Sequence, residues 1–227
     1  MEKSNSYRFL VVLFILCSSL EIVAEFYQNQ VLLTFVKPTL MPLLFGIYYV
    51  RTKNIDIVYF LALFFNWLAN ILFLSKSVDL LTLGSLVFFI SRILIVYKVY
   101  KEIKLPSIFP FVLGTIPFLF LFIYLNFLIV NDVNSQTFMM TISQSIVVSI
   151  IGGISLGNYM MKNDKSSIFL LLSAVFNALT IVFLGIKFYY LDLYYLKSIA
   201  MIFFVLSHFS LVQFMIITHK SKFNLVS

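Results

Sequence analysis

Glu21 and Glu25 stand four residues apart in an apolar stretch, so a helix would carry both carboxyls on one face. Two acids this close disfavour double ionisation, and the one that keeps its proton is suited to general acid work. Lys37 and Arg92 are cations able to grip a phosphate. Asn66 and Asn70 repeat the four-residue spacing, and with Asn177, His208 and Gln213 they could orient water or a ligand. Each has a plainer reading as well. The two glutamates can reach interfacial water, Lys37 can snorkel, the asparagines can join helices by hydrogen bonds, and His208 can simply be packed. Arg92 resists such a reading because it lies deep in its apolar stretch. A buried partner or a water-filled pocket is expected around it.

Other chemistries leave no mark. The chain has no Gly-rich phosphate loop, no serine nucleophile elbow and no closely spaced His/Cys set. Its two histidines, His208 and His219, give no basis for a zinc or haem site, and no metal or other cofactor is expected. Cys17 is the only cysteine, so no internal disulfide can form. Ser145, Ser149, Gly153 and Gly157 recur every fourth residue and predict a small-residue stripe for close helix packing rather than chemistry.

These residues must be positioned by membrane helices. Of 227 residues, 62% are hydrophobic and only 11% charged, and the mean hydropathy is +1.04. A soluble domain of this size would carry far more charge. About 20 apolar residues cross a bilayer. Eight stretches qualify: Tyr7–Tyr27, Leu32–Val50, Ile57–Leu74, Leu80–Tyr100, Ile108–Val130, Phe138–Met161, Ile168–Ile186 and Leu191–Ile217. The last is long enough for a tilted span with an interfacial turn. The expected fold is all-α, a polytopic bundle of about eight transmembrane helices forming a single domain over residues 1–227. Lys3 and Arg8 before an apolar run resemble a signal peptide, but no small-x-small site follows, so a retained first helix is expected.

The net charge of +7 would suit nucleic acid, yet the basic residues sit in alternate connectors. Lys3, Arg8, Arg51, Lys53, Lys98, Lys101, Lys104, Lys162, Lys165, Lys220 and Lys222 form one set; Lys37, Lys76 and Lys187 form the other. Positive residues favour the cytoplasmic side, so both termini are expected inside, most simply in a bacterial plasma membrane, with no nucleic-acid partner.

Within this frame the motif order resembles the YhhN family of integral membrane proteins, whose characterised members are lysoplasmalogenases. Lys37-Pro38-Thr39-Leu40-Met41-Pro42-Leu43-Leu44 is similar to the family's opening Lys-Pro motif. Phe65-Asn66-Trp67-Leu68-Ala69-Asn70-Ile71-Leu72 stands where the family has Gly-Asp-Leu-Leu, with Asn70 at the aspartate. Leu83-Gly84 to Ser91-Arg92 matches a span ending in Gly-His, with Ser91-Arg92 in its place and Tyr97 two positions late. Phe176-Asn177 falls at the family's Ser-Asp, and Phe209-Ser210-Leu211-Val212-Gln213 resembles its closing aromatic and Ala-Gln pattern.

The resemblance implies hydrolysis of the vinyl-ether bond of lysoplasmalogens, which begins when an acid protonates an alkene carbon. Asparagine cannot supply that proton, nor can a permanently charged Arg92. Asn70 and Asn177 therefore remain candidates for orienting water, while Glu21 and Glu25, outside the family's pattern, become candidate acids. Lys37, Arg92, Asn66 and Gln213 are the candidate substrate-binding residues. Two readings stand: a lysoplasmalogenase-like enzyme with membrane lysophospholipid ethers as partners, or a non-catalytic lipid- or small-solute-binding protein on the same scaffold. A transporter is a weaker third, since no inverted repeat is visible.

Overall fold

Eight α-helices make up most of the described residues of the computed structural model, which are 2–52, 55–75, 77–103, 106–129, 135–191 and 193–224. They are α1 (Glu2–Phe26), α2 (Gln30–Thr52), α3 (Ile57–Leu72), α4 (Val78–Glu102), α5 (Ile108–Ile129), α6 (Ser135–Lys162), α7 (Lys165–Tyr189) and α8 (Tyr194–Asn224). Lys53, Lys76 and Lys104, along with residues 131–134 of the fifth connector, lie outside the described residues. Seven helices are long and apolar enough to cross a membrane. The protein is thus a multi-pass, all-helical membrane bundle.

The exception is α3, with 16 residues. It starts where expected, at Ile57, where the Asp56 side chain accepts from the Tyr59 amide at 2.9 Å, and it ends at Leu72 rather than Leu74 because the chain leaves the helix at Phe73. Together with the turn that follows it, α3 lies along most of α2. Gln30 at the start of α2 donates to the Leu74 carbonyl at 3.0 Å, while Tyr48 near the other end stacks edge-on with Tyr59. Conversely, α8 is longer than expected, one unbroken helix of 31 residues with no interfacial turn.

Side-chain pairs show that sequence neighbours are antiparallel. Asp56 meets Lys98 near one end of the α3–α4 pair, and Phe73 meets Phe88 towards the other. Phe14 of α1 stacks on Phe209 of α8, with ring centres 5.9 Å apart. Tyr7 lies under Arg51 and accepts from Gln213 at 3.1 Å, so the start of α1 and the latter part of α8 share one face of the bundle. Helix α8 packs against α1, α2 and α7 and is the most buried span; α5 packs on α6 and α7 and is the least buried. Phe120, Ile123 and Phe127 on α5 are accordingly exposed, as a lipid-facing surface requires.

Two local devices tighten the bundle. Gly114 of α5 meets the small stripe of α6: a β-carbon at Gly114 would lie 2.9 Å from the Gly153 carbonyl oxygen. The predicted packing role of the stripe is what the helices show. In α2, Pro42 has no N–H for the Pro38 carbonyl, which would be left bare in an apolar interior. Trp67 of α3 donates its indole N–H to that carbonyl at 2.8 Å.

Candidate functional site

Polar residues inside the bundle collect in layers. At the outer end, taken as the end away from the termini, Glu25 of α1 is clamped by two lysines. Lys37 of α2 approaches its Oε1 at 2.5 Å, and Lys197 of α8 its Oε2 at 2.9 Å. Glu25 and Lys37 are both buried, so the pair is shielded from the screening that weakens surface ion pairs. Glu21, one turn deeper, is 1% exposed, and its Oε2 has no hydrogen-bond partner. Lys37 therefore does not snorkel, and the two glutamates do not reach interfacial water. Lys197 escaped the sequence reading, although it is an ionisable residue inside the eighth apolar stretch and could have been flagged on that ground.

A thread of hydrogen bonds leads inward along α3. Asn70 donates its amide to Asn66 Oδ1 at 3.1 Å, and Asn66 Nδ2 lies 2.9 Å from His208 Nε2 on α8. His208 Nδ1 lies 2.9 Å from the Phe204 carbonyl, which can only accept, so Nδ1 carries the proton. Nε2 is then the acceptor for Asn66. The thread is satisfied by a neutral His208, joining α3 to α8 as the plain reading expected.

Behind this thread lies a mid-membrane cavity of about 30 Å³. Its polar lining comprises Asn66, Arg92, Ser173, Asn177, Ser207 and His208, among apolar side chains including Phe88 and Leu211. Arg92 is 4% exposed, with its guanidinium carbon 4.4 Å above the Phe88 ring. No carboxylate pairs with it among the described residues, and its Nε is buried without a hydrogen-bond partner. The adjacent Ser91 is committed elsewhere, donating to the Ala62 carbonyl at 2.7 Å. Ser207 likewise donates to the Ser173 carbonyl at 2.9 Å. Arg92 and Asn177 thus face the cavity with polar groups uncommitted.

The predicted site residues are therefore distributed rather than gathered. Arg92, Asn66 and Asn177 share the cavity, and Asn70 touches it through Asn66. Glu21, Glu25 and Lys37 form the outer layer. Gln213 belongs to neither group, since it binds Tyr7 near the opposite face.

A third cluster lies near that opposite face, where Lys98 bridges Asp56, at 2.5 Å, and Glu102. Desolvation would raise the Asp56 carboxyl, but hydrogen bonds from Lys98 and the Tyr59 amide outweigh it and hold the group below its ordinary range. This cluster is an ion-paired helix junction. Among the described residues no three His, Cys, Asp or Glu side chains assemble as a metal-binding set. No protein family, curated protein or solved structure matches the chain.

Proposed function

We propose that this chain binds a phosphate-bearing, single-chain lipid within the membrane, on the lysoplasmalogenase-like plan that its motifs resemble. The observation that supports this most is Arg92: a guanidinium at mid-depth, nine-tenths buried, facing a cavity without a carboxylate partner among the described residues. An arginine at a bilayer centre costs roughly 3 kcal/mol or more to insert. A lipid phosphate would satisfy its planar fork. The basic connectors support placing the face that holds the termini in the cytoplasm, with a bacterial plasma membrane as the simplest setting.

A second reading, hydrolysis of a vinyl-ether lysolipid, is favoured by Glu21, a buried carboxyl with one oxygen unpartnered. In that reaction the protonated carboxyl gives its proton to the alkene carbon next to the ether carbon. Water adds to the resulting oxocarbenium centre and returns a proton to the carboxylate. The hemiacetal then collapses to an aldehyde and a glycerophospho-alcohol.

Purified protein in nanodiscs tests both readings. Arg92→Leu should fold normally and lose lysophospholipid binding by about tenfold or more. Glu21→Gln should keep binding but stop aldehyde release from a lysoplasmalogen. Unchanged lipid affinity in folded Arg92→Leu overturns the binding proposal. Absence of aldehyde from the native protein removes the hydrolytic reading and leaves binding intact.

A further inference from the structure

The cavity at Arg92 is smaller than the headgroup proposed for it, and that mismatch has a consequence. A water needs about 10–15 Å³ of such space, so about 30 Å³ holds one small guest or two waters, not a phosphate monoester on a glycerol. Water alone would solvate the guanidinium and leave its charge uncompensated at low dielectric. Among the described residues no acid from α3, α4, α6, α7 or α8 lines the cavity. The lining instead offers donors: the Arg92 N–H groups and the uncommitted amide of Asn177. The Phe88 ring covers one side of the guanidinium and leaves its edge to the guest.

We propose that this cavity holds one small monovalent anion of halide size as the counter-ion of Arg92. This rests on the reading of Arg92 as an anion-recognising group and adds the regulation of that site. A lipid phosphate must displace the resident anion and widen the cavity. Halide and lysophospholipid therefore bind competitively, and a change in local halide concentration changes lipid occupancy.

The test uses the full-length protein in detergent, prepared in gluconate buffer and titrated with bromide while the bromide NMR linewidth is followed. Wild type should show saturable broadening that lysophospholipid reverses. Arg92→Gln should weaken the saturable component by about tenfold or more, and Arg92→Lys should retain part of it. Thermal unfolding establishes that each variant is folded. Should Arg92→Gln fail to fold, Asn177→Leu fills the cavity from α7 and should remove the same component. Equal broadening in wild type and the folded cavity variants would assign bromide to surface lysines and overturn the inference. Absence of any saturable component would also overturn it. The two proposals fail separately: lysolipid binding that needs Arg92 but ignores bromide sinks only the halide site, whereas bromide binding that lysolipid never reverses sinks only the lipid reading.

Discussion

Asn177 and Arg92 line one cavity without engaging each other through any hydrogen bond among the described residues, so a carboxylate at position 177 would meet a cation that lacks one. Asn177→Asp is therefore expected to raise the unfolding temperature and abolish lysophospholipid binding, because the new ion pair occupies the guanidinium. A thermal unfolding curve and a lipid-binding isotherm on the same sample check this. A variant with lower stability and undiminished binding would show that the carboxylate at position 177 does not pair with Arg92. The resemblance alone suggests the opposite outcome, a gain of hydrolysis, since aspartate is the family's residue there. Geometry decides between them, because a carboxylate held ionised by Arg92 is a poor proton donor. Asn70→Asp is no simple restoration either. It replaces the amide that donates to Asn66 Oδ1 and sets two acceptors against each other, loosening the thread to His208. At this scale the sequence named most participants but not their grouping. Arg92 was legible through its depth, since no span end is within reach of its side chain. Lys197 was not singled out, and the two-lysine clamp on Glu25 joins α1, α2 and α8, a relation that no local spacing encodes.

Helix by helix, length and hydropathy defined what crosses, while the ends depended on caps that hydropathy does not register. Asp56 begins α3 and Asp164 begins α7 through a reciprocal bond pattern with Ser167. The small stripe on α6 was readable from its four-residue period; its partner Gly114 was not, because a single glycine in α5 carries no period. The close approach gives a sharp contrast between glycines. Gly114→Ala would push a β-carbon against the Gly153 carbonyl and the Gly157 amide, forcing the helices apart at a cost of about 1–3 kcal/mol. Gly185→Ala meets nothing within 4 Å and should be neutral or stabilising by up to about 1 kcal/mol through helix propensity. Chemical unfolding of the two variants in the same detergent gives the comparison. Equal midpoints would mean that α5 and α6 do not pack through this glycine.

Across the whole bundle, the alternation of basic connectors and the geometry of side-chain pairs lead to the same arrangement from independent starting points. The charges require an even number of crossings; the contacts of Tyr7 with Arg51 and Gln213 put the ends of α1, α2 and α8 on one face. A reporter fused after the last residue should therefore register the cytoplasm, and one inserted within residues 131–136 the opposite compartment. A cytoplasmic signal from both would break the antiparallel order of α5 to α8. The shortness of α3 has a further consequence at this scale. Sixteen helical residues extend about 24 Å, less than the roughly 30 Å of a typical hydrocarbon core. Thinning of the bilayer beside a short helix is one way such a mismatch is relieved. Thinning on the flank of α3 is therefore expected to bring the headgroup region towards the level of Asn70 and Asn66.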